Sequence, residues 1–336
     1  MAGGSSGGAG AVVGAGIVPV GGASDGGGSI RIPASASGVV GLKPSRGRVP
    51  WGPFAGEPLL GWAVHFVTTR TVRDTAAALD VLAGPMAGDP FELPAPARPF
   101  LSEVGAPVER LRVAYWAQPW SGHPGDAEVA AGCESIARLL ADMGHEVTHA
   151  SPSFNWESFL TMMTDIWSAT TAHTIDGFAR VLDRPVDEDT LEGPTLASVR
   201  YGRTISSQRL LDTMEQVNRL TREMGRFFGD YDVLLTPTLG ALPAKLGEYD
   251  PHALTPPQET FATWSHLESF LPVFNATGQP AISLPLCQSA SGLPIGMHFV
   301  GRFGSEALLL RLSAALEEAL PWAARVPPIH ASHHAG

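Results

Sequence analysis

Gly3-Gly4-Ser5-Ser6-Gly7-Gly8 and then Ser24-Asp25-Gly26-Gly27-Gly28-Ser29-Ile30-Arg31-Ile32-Pro33 are the stretches on which the reading of this chain turns. Glycines flanking a serine remove side-chain bulk and open backbone dihedrals closed to other residues. They also leave successive N–H groups free to converge on one point, as an oxyanion requires. Three kinds of chemistry use such loops. A dinucleotide fingerprint needs G-x-G-x-x-G between a strand and a helix. Here Gly8-Ala9-Gly10-Ala11-Val12-Val13 ends in valine, and the seven residues ahead of it scarcely make a strand. A phosphate loop needs Gly-Lys-Ser/Thr, and no lysine precedes Lys43. What survives is a serine nucleophile beside a glycine-built oxyanion hole. Ser29 follows three glycines, so the amides of Gly26, Gly27, Gly28 and Ser29 are the candidate donors.

Working outward, 336 residues with 44% hydrophobic and 16% charged content describe a globular chain with ample core. A net charge of −11 without a basic run argues against nucleic acid and anionic membranes as partners. Two cysteines, Cys133 and Cys287, lie far apart without CxxC spacing. A disulfide scaffold or zinc site is therefore not expected, nor any other metal or cofactor, and a reducing cytoplasm is the default. The apolar run Ala11 to Val20 lacks the basic n-region of a signal peptide, and no run reaches the roughly 18 apolar residues of a membrane span.

Residues 1–50 alternate Gly/Ser with apolar clusters and predict a packed loop–helix–loop–strand region. Thr71 opens a helix with a capping-box-like pattern, stopped by Gly84-Pro85. Leu111 to Tyr115, Asp126 to Met143 and Glu146 to His149 read as strand, amphipathic helix and strand, which favours an α/β sheet with helical crossovers. Residues 155–230 read as helical. Val233 to Pro237 reads as a buried strand and Leu267 to Asn275 as a helix. Ala281 to Leu286 and Ile295 to Val300 form paired strands, and Ser305 to Ala319 a last helix. Residues 326–336 read as a disordered tail.

The two Gly/Ser turns, with GVVGLKPSRGRVP after them, resemble the amidase signature family. The likeness continues in Thr69-Arg70-Thr71-Val72-Arg73-Asp74, Leu235-Thr236-Pro237-Thr238, Asn275-Ala276-Thr277-Gly278-Gln279-Pro280-Ala281 and Gly292-Leu293-Pro294-Ile295-Gly296. Within the family, Lys43 to Arg48 and Phe299 to Gly304 are most similar to bacterial amidases of the 6-aminohexanoate-cyclic-dimer-hydrolase type. The resemblance implies one α/β domain over 1–325, a mixed twisted sheet sandwiched between helices. Its parts would be a signature core (1–105), a variable region (106–230) and a C-terminal sheet and helix portion (231–325).

It further implies amide (C–N) hydrolysis by a Ser–cisSer–Lys triad. Ser29 matches the nucleophile, Ser5 the bridging serine, and the amides of Gly26, Gly27, Gly28 and Ser29 the oxyanion hole. Ser6, Asp25 and Arg31 match residues that support the loop. The family's lysine base lies several tens of residues ahead of the first turn. This chain starts two residues before that turn, so the expectation is an N-terminally truncated domain without the base. Lys43 belongs to the family's own Gly-Leu-Lys-Pro segment and Lys245 to a Pro-rich loop, and neither is expected to substitute. A histidine base is weighed and set aside, because His65, His266 and His298 have no carboxylate at a telling spacing. Partners expected are a small-molecule amide and a second copy in a homodimer. Two alternatives stand beside hydrolysis: an inactive fragment or pseudoenzyme acting in protein interactions, and an amidotransferase A-type subunit.

Overall fold

The computed structural model describes residues 1–53 and 55–333. Its spine is one eight-stranded sheet in the order β1-β3-β2-β7-β8-β6-β4-β5. The strands are β1 (Val20–Asp25), β2 (Val40–Lys43), β3 (Val64–Thr69), β4 (Arg112–Tyr115), β5 (Glu146–His149), β6 (Val233–Pro237), β7 (Ala281–Gln288) and β8 (Pro294–Gly301). β4 runs parallel to β5 and β6, and every other neighbouring pair is antiparallel. The mixed α/β sheet read from the sequence is therefore present.

Alternation along the central strands sorts side chains to two faces. Ile282 and Leu284 on β7, with Ile295, Met297 and Phe299 on β8, join one large core with α3 (Val72–Leu82), α4 (Ala127–Asp142) and α10 (Glu306–Ala319). Ala281 and Val300 face a second core with α5 (Trp156–Leu182), α7 (Ser207–Asp230), α8 (Pro257–Glu268) and α9 (Val273–Thr277). Helix starts carry the caps their sequences offer. Thr71 accepts from the amide of Asp74 at 3.0 Å, Asp126 from Glu128 at 2.8 Å and Asn155 from Ser158 at 2.7 Å. α6 (Gly193–Gly202) completes the helical wing.

Two expectations change. Residues 1–50, read as loop–helix–loop–strand, hold a further strand, the edge strand β1, paired with β3 from Val20↔Thr69 to Asp25↔Val64. Its glycines carry no strand propensity, and pairing imposes the conformation. They serve packing instead: a Cβ on Gly21 would sit 3.1 Å from Ala9, so α1 (Gly7–Gly14) lies close against the strand. The helix expected over 267–275 is broken, α8 ending at Glu268 and α9 starting at Val273. Pro272 disfavours helical backbone at Leu271 and has no N–H to continue the ladder. Ala331 donates to the carbonyl of Ala15 at 2.8 Å, and Ala331–His333 forms a 3-10 turn. The rest of the expected tail, 334–336, lies outside the described residues.

Candidate active site

β1 delivers Asp25 to the site, and α2 (Arg31–Ser37) leaves it two residues after Ser29. The Gly26–Gly27–Gly28 loop between them has little freedom. Gly28 has a φ of +135°, and a Cβ there would meet Leu271 Cδ1 at 2.7 Å and Ile32 Cδ1 at 2.9 Å. Only glycine fits that conformation in that space. Gly3, with φ +74°, presses the first turn against Ile32 of α2 in the same way, a Cβ there coming within 2.9 Å. Ser6 Oγ then pins the two turns together, donating to the carbonyl of Ser24 and accepting from its amide, both at 3.2 Å. The Gly4–Ser5 peptide bond is cis. Ser5 is exposed and Ser29 half-buried.

Beneath the loop lies a fully buried ion pair. Arg31 Nε and Nη2 each donate at 2.9 Å to a different oxygen of Asp25. The same carboxylate accepts from the amides of Gly28 at 2.7 Å and Ile30 at 3.2 Å, and from Asn275 Nδ2 at 2.8 Å. Burial pushes Asp25 upward, but Arg31, Lys43 and Asn275 outweigh it and hold the carboxyl far below the usual carboxylate range. Asp25 is thus ionised at every working pH and dictates where the loop's amides point.

The Asp25 carboxylate also sorts the amides of the loop. The amide of Gly28 is committed to Asp25 Oδ1 and does not face outward. The amides of Gly26, Gly27 and Ser29 have no partner among the described residues. The aromatic wall beside them is Trp167, whose ring edge lies 3.4 Å from where a Cβ of Gly26 would be and 3.6 Å from that of Gly27. Pro272 closes the other side of Gly27 at 3.8 Å. Trp62 is buried in the second core, and Trp120 packs against Phe154, Phe270 and Phe274. Trp116 stacks on His149.

Two site residues were not singled out for this role in the sequence. Asn275, read as the end of a helix, joins three elements: its amide donates to the carbonyls of Asp25 at 2.9 Å and Trp62 at 3.2 Å, and its Oδ1 accepts from Arg31 at 2.6 Å. His298, buried on β8, lies 3.1 Å from Arg31 Nη1. The available signal was a polar residue on the inward face of an otherwise apolar strand, Pro294 to Gly301. Lys43 is fully buried, its ammonium donating to the carbonyl of Pro44 at 2.9 Å. Burial, and then the charge of Arg31, lower it to about 7. Among the described residues, no lysine or histidine is hydrogen-bonded to Ser5 or Ser29, and no group of three or more His, Cys, Asp or Glu could hold a metal. No described helix is long and apolar enough to cross a membrane.

The sheet and its helices match the amidase signature fold, and the chain belongs to the amidase family, whose model matches residues 1–310. That family acts on C–N bonds. In particular, the chain is 36% identical to a 6-aminohexanoate-cyclic-dimer hydrolase of Paenarthrobacter ureafaciens, over 97% of this chain and 68% of that protein. It is 35% identical to the enzyme of that name from Pseudomonas sp. strain NK87, again over 97% and 68%. A solved structure of 6-aminohexanoate cyclic dimer hydrolase with its substrate superposes with a TM-score of 0.91 at 35% identity, over 98% of this chain and 70% of that one. The chain spans about two thirds of the length of these relatives.

Proposed function

We propose that this chain is an amide hydrolase that works through an acyl-enzyme, with Ser29 as nucleophile. The observation that carries the reading is the Asp25 clamp: it commits one loop amide inward and leaves those of Gly26, Gly27 and Ser29 unpaired around a half-buried serine. In the first step, Ser29 Oγ bonds to the amide carbon while its proton passes to Ser5 Oγ and on to a base. The carbonyl oxygen becomes an oxyanion held by the free amides, a contribution worth about 10²–10³ in rate per donor. Collapse of the adduct breaks the C–N bond, and the amine leaves with the proton. Water then cleaves the acyl ester and restores Ser29. In the resemblance the base is a lysine. Lys43 does not take that part in our reading, being walled in and bonded to Pro44. The substrate class is a small amide, and the cyclic dimer of 6-aminohexanoate named for the relatives is the first to try.

A second reading is favoured by the exposed Ser5, which has no hydrogen-bond partner among the described residues. In it the chain folds but is silent by itself. A fluorophosphonate probe separates the two. The first reading expects a covalent adduct on Ser29 and none in Ser29→Ala. An unlabelled but folded chain, or labelling that survives Ser29→Ala, overturns it.

A further inference from the structure

Arg31 has five N–H donors and five acceptors, with none left over. Asp25 takes two at 2.9 Å, Asn275 Oδ1 one at 2.6 Å, the carbonyl of Leu271 one at 3.2 Å, and His298 Nε2 the fifth at 3.1 Å. An arginine cannot accept, so His298 Nε2 must present a lone pair to it. The ring's proton is then on Nδ1, which lies 3.1 Å from Thr236 Oγ1. That hydroxyl is free to accept, because its own proton goes to the carbonyl of Pro237 at 2.8 Å. The tautomer follows from the partners.

We propose that His298 is a positioning residue of the Ser29 site: a neutral imidazole, protonated on Nδ1, that sets the Arg31 guanidinium and through it the Asp25-clamped nucleophile loop. The proposal rests on the reading of Ser29 given above. The chain of contacts is continuous, from Thr236 on β6 through His298 on β8 and Arg31 on α2 to Asp25 on β1, then to the amides of Gly28 and Ile30. The surroundings on balance keep the ring neutral. The groups around the ring are the cations Arg31 and Lys43, the anion Asp25, the hydroxyl of Thr236 and the ring of Phe274, with Ser283 its register partner on β7. Burial and the two cations hold the imidazole well below its ordinary value, against Asp25. A second proton would put N–H against N–H at Arg31 and break the fifth bond.

The test uses the full chain with ¹⁵N-labelled histidine, together with His298→Leu and His298→Gln. Gln offers an acceptor to Arg31 and a donor toward Thr236, whereas Leu offers neither. The expected spectrum shows one histidine in the Nδ1–H tautomer, unchanged from pH 6 to 8. His298→Leu is expected to slow fluorophosphonate labelling of Ser29 about 10²-fold, the scale of a slightly misplaced reacting group, with Gln restoring most of it. The Gly28 and Ile30 amides should exchange with solvent faster in Leu and at the parent rate in Gln. An Nε2–H tautomer, titration of this ring within that range, or Leu and Gln variants that behave alike overturns the proposal. If His298→Leu does not fold, Thr236→Val removes the Nδ1 acceptor and should also speed Gly28 exchange. Unchanged exchange there counts against the proposal. Should the parent chain not label at all, the serine reading falls while the tautomer and the exchange rates still judge His298.

Discussion

Two buried aspartates in this molecule hold an arginine bidentately, and they do different things. Asp25 and Arg31 are both completely buried. Asp165 on α5 is buried too, but its partner Arg209 on α7 keeps 45% of its side chain in solvent. The remaining acceptor capacity of Asp165 goes to side chains, the Tyr201 hydroxyl at 3.0 Å and Thr213 at 3.3 Å, so it ties α5, α6 and α7 into one wing. Asp25 spends its capacity on backbone N–H groups of a glycine loop. The same charge pair is a strut in one place and a loop template in the other. What else the carboxylate accepts decides which.

The largest effect expected from breaking this contrast is at Asp25. In Asp25→Asn the Arg31 charge is left buried without its counter-ion, which costs about 3–5 kcal/mol. The substituted amide also turns a donor toward Arg31. Guanidinium denaturation should show the loss, and the variant that remains folded should not label at Ser29. Stability within about 1 kcal/mol of the parent would show that the pair is a strut as replaceable as an exposed one.

Next in size is Lys43, the second cation under the loop. Its folded value is about 7 against an ordinary 10.5. Between those values the unfolded chain holds a proton that the folded chain has released. Stability therefore rises with pH across that window, and is insensitive to this group below it. The rise is on the order of a few kcal/mol for a group so buried. Denaturation midpoints at pH 7.5 and 9.5 should separate for the parent and close up in Lys43→Met. Glu268, raised to about 8 by burial and then by Asp25, works the opposite way at lower pH, so the parent-minus-variant difference is the quantity to read. Equal pH slopes in the two proteins would mean that Lys43 is charged in place.

The contrast also explains what could be read from the chain. Elements whose identity rests on local signals were legible: Thr71 and Asp126 at helix starts, the apolar stripe of 126–143, and the runs of β7 and β8. β1 was not, since Val20-Gly21-Gly22-Ala23 carries no strand preference and is made a strand by β3. The site divided along the same line. Ser29 sits in a glycine-rich stretch that reads locally as a loop, while Ser5, Asp25 and Arg31 came with the family resemblance. Asn275 and His298 reach it from about 250 residues away, and no local pattern marks a residue as the fifth acceptor of a distant arginine. The direction of the Gly28 amide, toward Asp25, was not legible for a related reason. Which of several consecutive amides points outward depends on the carboxylate beneath them.

The smallest effect is expected at the strut. In Arg209→Ala, Asp165 loses two hydrogen bonds of 2.8 Å but keeps Tyr201 and Thr213. Solvent already screens nearly half of the arginine, so the cost should be about 1–2 kcal/mol. A melting-temperature shift should register it, while the rate of Ser29 labelling and the exchange of the Gly28 amide stay at parental values. If Gly28 exchange instead speeds up as it should in His298→Leu, the helical wing is coupled to the loop. Trp167, on the same helix as Asp165 and against Gly26 and Gly27, is the contact through which such coupling would run.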